Sequence, residues 1–209
     1  MLSFIPATAE RILDVGCGEA QFSRRLKLRK AVEVWGVEVE PAAAAVAARH
    51  LDRVVQQPFS PELALPQGYF DCIVFNDVLE HLGDPWGALT FSRRLLRTGG
   101  CLVCSIPNVR FWGNVLELLV EKEWRYKECG ILDRTHLRFF TQRSIVRTFS
   151  ELGFRVEHIE GINPTDSRKW QLANLLLGGW LADMRYLQFA VVARPRALGA
   201  DAQGGGTQN

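Results

Sequence analysis

The sequence predicts an α/β domain in which a mostly parallel sheet is covered by helices on both faces. Segments typical of strands alternate with segments typical of helices from residue 11 to residue 106, and this alternation favours a parallel sheet. The segment 69–77 is an almost continuous apolar run, as expected of a strand that is buried on both faces. A glycine turn at 16–18 joins the first strand to the first helix, where many α/β proteins bind a ligand.

Local patterns define the elements that follow the first strand at 11–15. Residues 21–30 have the apolar spacing of an amphipathic helix. The alternating run 32–40 suits a second strand, and the alanine-rich run 42–49 has high helix propensity. A short third strand is expected at 53–57, before a loop that contains prolines.

The fifth strand and the helices around it are marked by glycine and proline. A helix at 85–96 follows the strand at 69–77, and Thr98-Gly99-Gly100 is expected to stop it because glycine is favoured just past a helix end. The fifth strand is predicted at 101–106, closed by Pro107-Asn108. A further helix is expected at 111–121.

The last third of the chain begins with a loop at 124–140 that is rich in charged and aromatic residues. Thr141 is a suitable N-cap for a helix at 141–152. A sixth strand is predicted at 154–162, then a helix at 167–184 with a bulky apolar face, then a seventh strand at 187–193.

Length and composition indicate one soluble domain. The chain has 209 residues, of which 47% are apolar and 23% charged, values ordinary for a globular protein. We expect a domain over residues 1–195, with additions to the α/β framework near 109–140 and 163–185, and a disordered tail at 196–209. The net charge of +2 is too small to predict a nucleic-acid or membrane partner. Neither a leader nor a long apolar run is present, so a cytoplasmic location is expected.

The predicted ligand site lies at the carboxyl edge of the sheet. In an open α/β sheet the turn at 16–20, the end of the second strand, Asn76-Asp77 and Pro107-Asn108 all reach that edge. A dinucleotide motif would place a third glycine where this chain has Gln21, which disfavours a nucleotide-sugar oxidoreductase. Glu38 follows the turn by about 20 residues, where a carboxylate can bind an unphosphorylated ribose.

Five ordered motifs resemble the class I S-adenosylmethionine-dependent methyltransferases. The first is Leu13-Asp14-Val15-Gly16-Cys17-Gly18, and the second, Gly36-Val37-Glu38, is similar to the family's acidic strand end. The others are Phe70-Asp71 through His81-Leu82, Leu96 through Gly100, and Ser105-Ile106-Pro107-Asn108. The resemblance covers roughly residues 10–162. It implies a Rossmann-like three-layer sandwich with a seven-stranded, mostly parallel sheet whose last strand is antiparallel, and S-adenosyl-L-methionine as the cofactor.

The resemblance also implies a set of cofactor-binding residues. The glycine turn and its helix suit the methionine carboxylate, and Asp14 can sit beside the ammonium group. The family commonly has an acidic residue after the third strand, where this chain has Gln57, whose amide oxygen can still accept a hydrogen bond. The implied residues are Asp14, Gly16, Cys17, Gly18, Glu38, Val39, Gln57, Asn76 and Asp77.

Two histidines are candidate catalytic bases. His81 and His136 have the pKa range that removing a proton from an acceptor requires. We assign no residue as a metal ligand, but an alternative stays open. Asp77 through His81, with Asp133 through His136, resembles the metal-binding E-x-x-E-H and distal histidine pattern of methyltransferases that modify small-RNA 3′ ends. A similar arrangement occurs in ubiquinone-biosynthesis O-methyltransferases.

The sequence leaves the methyl acceptor open. Analogy with methyltransferases of polysaccharide and natural-product pathways favours a hydroxyl of a small polar molecule. Two alternatives stay open: a catalytically inactive relative that binds the cofactor and serves as a partner subunit, and a metal-dependent RNA 2′-O-methyltransferase. The apolar face of the helix at 167–184 is compatible with covering the core, lining the acceptor pocket or meeting a second subunit, so the oligomeric state is not predicted.

Overall fold

The computed structural model describes residues 1–196 and contains one sheet of seven strands. The predicted disordered tail lies outside the described residues, except for Arg196. The strands are β1 (Arg11–Val15), β2 (Glu33–Val37), β3 (Arg53–Val55), β4 (Phe70–Asn76), β5 (Leu96–Pro107), β6 (Phe154–Pro164) and β7 (Tyr186–Pro195). The helices are α1 (Gln21–Lys27), α2 (Pro41–Ala47), α3 (Pro85–Leu95), α4 (Trp112–Leu116), α5 (Gln142–Glu151) and α6 (Arg168–Leu176).

The strand order is β3-β2-β1-β4-β5-β7-β6. Strands β1 to β5 pair in parallel, whereas β7 is antiparallel to both of its neighbours. The predicted fold class is therefore confirmed, including the antiparallel last strand. After β3 the chain crosses over β1 and β2 to form β4, so the strand order reverses between β1 and β4. Ligands bind at such a reversal because the loops on either side of it diverge and leave a crevice.

Hydrophobic clusters fill both faces of the sheet. Successive side chains of a strand point to opposite faces, so Leu13 packs in the cluster that α3 and α5 cover, and Ile12 packs in the cluster that α1 and α2 cover. Phe149 and Phe154 are fully buried in the first cluster, with ring centroids 6.0 Å apart. Packing on both faces gives the carboxyl edge a rigid base.

A third and smaller cluster lies away from the sheet. It consists of buried Trp170, Leu181 and Met184, with Trp112 and Val115 packed against them. The cluster joins α4 to α6, so two segments that are about 60 residues apart in the sequence form one structural unit beside the carboxyl edge. No helix within residues 1–196 is long and apolar enough to cross a membrane.

The prediction of one helix at 167–184 is wrong. Helix α6 ends at Leu176, because Gly178 and Gly179 adopt left-handed backbone conformations with φ of 59° and 87°. The chain then folds back, and Trp170 Nε1 donates a hydrogen bond to the carbonyl of Leu181 at 3.1 Å. The glycine pair was visible in the sequence, but the apolar spacing on either side of it concealed the break.

The predicted start of β5 is also wrong. The strand begins at Leu96, which pairs with Phe70, rather than at Cys101. Thr98-Gly99-Gly100 does not end helix α3, which stops at Leu95; these residues form an irregularity within the strand, where the register shifts and Gly99 has a φ of 78°. The strand therefore follows the helix without an intervening loop.

Candidate functional site

The glycine turn after β1 is shaped by steric requirements at two positions. Gly16 has a φ of 67°, and a Cβ there would lie 2.6 Å from Val78 Cγ2. Gly18 has a φ of 52° but open space around it. The backbone N–H groups of Gly16 and Cys17 both donate to the carbonyl of Val37, at 2.8 and 3.2 Å. The turn is therefore held tightly against the end of β2, with its outer side open.

Glu38 links this turn to the end of β2. One of its carboxylate oxygens accepts a hydrogen bond from the Gly18 N–H at 2.8 Å. The other accepts from the N–H groups of Val39 and Glu40, at 2.8 and 2.9 Å. Three backbone donors thus fix the orientation of the carboxylate, which keeps lone pairs for a ligand hydroxyl.

Asp14 and Cys17, which flank the first glycine of the turn by sequence, are both buried. Asp14 is only 2% exposed, and Ser23 Oγ on α1 donates to its carboxylate at 2.6 Å. Burial raises the pKa of Asp14 to about 7, with a contribution from the nearby Glu38 carboxylate. Burial also raises the pKa of the Cys17 thiol to about 12. Both side chains are buried, and the cofactor contact that the sequence predicted for them stays a prediction.

A cleft of about 420 Å³ opens in front of the turn, between the ends of β1, β2 and β4. Of the predicted cofactor residues, Gly16, Glu38, Val39, Gln57 and Asp77 line it, as does the predicted base His81. Asp14, Cys17, Gly18 and Asn76 are absent from its lining. The apolar lining that the sequence analysis missed consists of Val15, Val37, Phe59, Val78 and Leu82.

Phe59 is the most informative of the missed residues. It follows Pro58 in a loop, yet it is buried and packs against Phe75 and Phe91, with ring centroids 5.6 and 5.2 Å apart. The loop is thereby anchored to the core beside the cleft. An apolar ring within a polar loop was the only sequence signal for this role, and loops often contain such residues for packing alone.

Asp77 stands between the cleft and a second pocket. Its backbone is left-handed, with a φ of 53°, which turns the chain sharply after β4. Ser105 Oγ donates to the Asp77 carboxylate at 3.0 Å, and Gln188 Nε2 donates to the same oxygen at 2.7 Å. Asn163 in turn donates to Gln188 at 2.8 Å. The sequence analysis missed Gln188 and Asn163, because no local pattern shows that β7 lies beside β5.

The second pocket has a volume of about 140 Å³. Its lining consists of Asp77, Glu80, Pro107, Gly130, Ile131, His136, Leu187 and Gln188. The loop at 124–140 closes this pocket, since the N–H groups of Leu137 and Arg138 donate to the carbonyl of Glu80 at 2.8 and 3.0 Å. The loop singled out from the sequence therefore does reach the site.

Glu80 is a buried carboxyl group that lacks partners. The side chain is 1% exposed, and neither of its oxygens has a hydrogen-bond partner among residues 1–196. His136 Nε2 lies 3.9 Å from Glu80 Oε1. Burial raises the pKa of Glu80 to about 8, and the charge of Asp77 adds to this shift. Such an isolated carboxyl is costly to bury, which points to a missing partner.

The two predicted histidines meet beside Glu80. Their ring centroids are 4.6 Å apart, and Glu80, His81 and His136 each offer a ligand atom within 4.8 Å of the others. His136 Nδ1 lies 2.9 Å from the carbonyl of Ile131, so it carries the proton and leaves Nε2 as an acceptor. Burial lowers the pKa of His81, and neighbouring His136 lowers it further.

The tautomer of His81 follows from its neighbours. Thr135 Oγ1 donates its single proton to Asp133 at 2.6 Å, so it accepts a hydrogen bond from His81 Nδ1 at 3.0 Å. Nε2 of His81 is then unprotonated, like that of His136. Two imidazole lone pairs therefore lie beside the Glu80 carboxyl group, whose raised pKa keeps it protonated at neutral pH.

Comparisons with known proteins agree with this architecture. A family model described as a methyltransferase domain matches residues 2–159. A ubiquinone biosynthesis O-methyltransferase of Psychrobacter arcticus is 28% identical over 201 residues, which cover 90% of this chain and 73% of that protein. Another, from Cereibacter sphaeroides, is 32% identical over 109 residues, which cover 50% of this chain and only 44% of the relative. The chain thus matches less than half the length of the Cereibacter protein.

A solved structure supports the fold. A chain from the complex of the Haloferax volcanii Trm112 methyltransferase activator with a methyltransferase aligns with a TM-score of 0.67, covering 94% of this chain and 86% of that one. The sequence identity is 17%, so this likeness concerns the fold alone. The family model spans most of the chain, and the seven-stranded sheet has the crevice between β1 and β4 that the fold class predicts. The chain therefore belongs to the class I methyltransferase family, whose cofactor is S-adenosylmethionine.

Proposed function

We propose that the protein transfers the methyl group of S-adenosylmethionine to a hydroxyl of a small polar acceptor, such as a saccharide or another natural product. The observation that carries this proposal is that Asp77 lines both the cleft and the second pocket. His81 lines the cleft, His136 lines the pocket, and their rings are in contact. A cofactor in the cleft would thus present its methyl group to an acceptor beside two basic nitrogens.

The cofactor contacts that we propose follow from the fixed groups around the cleft. Glu38 accepts hydrogen bonds from the ribose, because three backbone donors already orient its carboxylate. Val39 and Gln57 flank the adenine, and the open side of the turn at Gly16 and Gly18 faces the methionine part. Burial of Asp14 and Cys17 supports a bracing role for these two side chains, whereas Asn76 is half-buried and its Oδ1 has no hydrogen-bond partner among residues 1–196, which supports a ligand contact there.

Methyl transfer to a hydroxyl requires that the acceptor be positioned and that its hydroxyl lose a proton. Methyl transfer from a sulfonium is a direct displacement, and holding the acceptor in line with the methyl group supplies most of the rate. His136 Nε2 is unprotonated and takes the proton of the acceptor hydroxyl. The Glu80 carboxyl group, whose Oε1 lies 3.9 Å from this nitrogen, keeps its own proton and stabilises the imidazolium through the dipole of its carbonyl. The names of the two relatives support oxygen as the acceptor atom.

We also propose that Glu80, His81 and His136 hold a divalent metal ion, with Asp77 at the edge of the same pocket. The residues fit such an ion, because Glu80 is buried without a partner and both histidines offer a free Nε2. When bound, a divalent metal would occupy the Nε2 lone pairs of both histidines, so His136 would no longer act as the base, and the ion would instead lower the pKa of the acceptor hydroxyl. This proposal revises the assignment of no metal ligands made from the sequence.

Binding and transfer are tested separately. Calorimetric titration is expected to show binding of S-adenosylmethionine and none of NADH; binding of NADH alone would refute the proposal. The protein is then incubated with cofactor that carries a labelled methyl group and a cell extract in which proteins and small molecules are separated. Label in a small molecule supports the proposal. Cofactor binding without any transferred label would instead favour an inactive partner subunit.

The RNA alternative is tested in the same extract. Pretreatment with ribonuclease removes RNA acceptors and leaves small molecules intact. Retention of the labelled product after this treatment is expected, and its loss would favour the RNA 2′-O-methyltransferase alternative. The expected cytoplasmic location remains a prediction.

Metal binding has a readout that does not depend on activity. An ion at 100 times its dissociation constant stabilises the folded protein by about 2.7 kcal/mol. For a protein of this size that raises the melting temperature by roughly 5–10 °C. Magnesium or manganese should produce this shift in the wild type, and Glu80→Gln should abolish it. An equal rise in melting temperature in the wild type and Glu80→Gln would mean that the ion binds at another site.

A further inference from the structure

The exposed apolar side chains are unevenly distributed. More than half of the large ones within residues 1–196 lie on two segments, α6 with the turn that follows it and the π-helical turn Glu117–Glu121 after α4. The small cluster around Trp170 joins these segments. We call the exposed set the α6 surface; its members are Leu118, Leu119, Val120, Leu172, Leu175, Leu176, Leu177 and Trp180.

Helix α6 has two apolar faces. Trp170 and Ala173 point inward into the small cluster. Leu172, Leu175 and Leu176 follow one another at the spacing of a second helical face, and the last two are each 76% exposed. A surface helix ordinarily presents polar residues to water. The outward face of α6 therefore has the composition of a contact surface but no partner within the described chain.

Unpaired cations surround the α6 surface. Arg168 and Lys169 begin α6, Lys122 follows the π-helical turn, and all three are exposed without an ion pair among residues 1–196. Arg143 lines a groove of about 510 Å³ that Trp180, itself 74% exposed, borders as well.

The acidic groups nearby are fewer than the cations, and two of the four are neutralised by ion pairs. Asp183 is paired with Arg110 at 2.7 Å, and Glu117 is paired with Lys127 at 2.6 Å. Glu121 and Asp166 remain as unpaired acids on these segments within the described part of the chain. The border of the α6 surface therefore carries a net positive charge, although the whole chain has a net charge of only +2.

We propose that the α6 surface docks onto an anionic phospholipid bilayer. Helix α6 lies in the plane of the interface, with Leu172, Leu175 and Leu176 in the acyl boundary and Trp180 at the level of the headgroups. Arg168 and Lys169 face the acidic headgroups. This revises the expectation of no membrane partner, which rested on a net charge averaged over the whole molecule. The inference does not depend on the proposed function.

The charge distribution favours a bilayer over a second copy of the chain. A twofold interface through this surface would bring the same unpaired cations of both copies together, at an electrostatic cost. An anionic bilayer would instead attract them, by about 1 kcal/mol for each cation near its surface.

The test is flotation of the full chain with phosphatidylcholine vesicles, with and without phosphatidylglycerol. The wild type should float with the anionic vesicles. Leu175→Gln/Leu176→Gln should lower the partition coefficient by at least about tenfold, because two apolar side chains no longer insert. Arg168→Gln/Lys169→Gln should weaken binding and reduce its dependence on salt. A matched control is Leu28→Gln/Val146→Gln, which changes exposed apolar residues on α5 and at the end of α1.

Each outcome bears on the proposal. The control should float like the wild type, and all variants should keep the wild-type melting temperature, so that loss of binding does not reflect unfolding. Failure of the wild type to float with anionic vesicles would overturn the proposal. Equal losses of vesicle binding in the control and in Leu175→Gln/Leu176→Gln would overturn the proposal as well. A concentration-dependent dimer that only Leu175→Gln/Leu176→Gln abolishes, without vesicle binding, would assign the surface to a second copy instead.

Discussion

Substitution of Glu80 by glutamine should change how the stability of the protein depends on pH. Burial raises the pKa of Glu80 in the folded state to about 8, from an ordinary value of 4.5. Between these two values the folded state keeps a proton that the unfolded state has released. The free energy of unfolding therefore falls as the pH rises through this window, and the loss is complete above the folded-state pKa.

The size of this effect follows from proton linkage. Between about pH 5 and about pH 8, a shift of this size costs the folded state roughly 3 kcal/mol. Glu80 is 1% exposed, so solvent screening does not reduce this figure greatly. Glutamine has nearly the same shape but no proton to lose, so the variant should lack this part of the pH dependence. Asp14, whose pKa is also raised, titrates in both proteins and cancels in the comparison.

The measurement is urea unfolding of both proteins at the two pH values, in the presence of a chelator. The difference in unfolding free energy between the wild type and Glu80→Gln should change by roughly 3 kcal/mol between the two conditions, in favour of the variant at the higher pH. A general loss of stability from the unsatisfied amide would affect both conditions equally and leave this change intact. The same pH dependence in both proteins would refute the reasoning that Glu80 is an isolated buried acid.

Three further predictions concern the cofactor cleft, the proposed base His136 and the hydrogen bond from Ser23 to Asp14. Gly16→Ala should weaken S-adenosylmethionine binding by more than about tenfold in calorimetry, because its Cβ would lie 2.6 Å from Val78 Cγ2. Gly18→Ala, which meets no such atom, is the matched control, and equal effects would contradict the steric argument. His136→Gln should lower kcat by roughly 10²–10⁴-fold while the Kd of the cofactor stays unchanged. If only the Kd of the cofactor changes, His136 is not the base. Ser23→Ala should destabilise the fold by about 1–3 kcal/mol in urea unfolding, because Asp14 loses its buried donor. No change in stability would show that water replaces the hydroxyl.

The local sequence was sufficient to predict the framework of the cofactor cleft. The turn at Gly16 and Gly18 could be recognised because left-handed backbone and close approach to a neighbouring side chain are requirements on single residues. The strands could be recognised because burial repeats with a period that the sequence displays. Once a parallel sheet was predicted, the carboxyl ends of β1, β2 and β4 had to meet at one edge. Gly16, Glu38 and Asp77 were placed at the cleft in this way, and the family resemblance added Val39 and Gln57.

Other properties of the site were decided only by the tertiary structure. The Gln188 contact to Asp77 spans 111 residues and exists because β7 inserts between β5 and β6, which no local pattern specifies. The sequence marks Glu80 as part of a possible metal-binding motif but does not show that it is buried; its isolation arises because the loop that carries His136 folds over it. Likewise, the sequence shows that α6 is apolar, but only packing against α4 decides which face stays uncovered. Burial, and the pKa shifts that follow from it, depend on every atom around a group, so they are properties of the fold rather than of the residue.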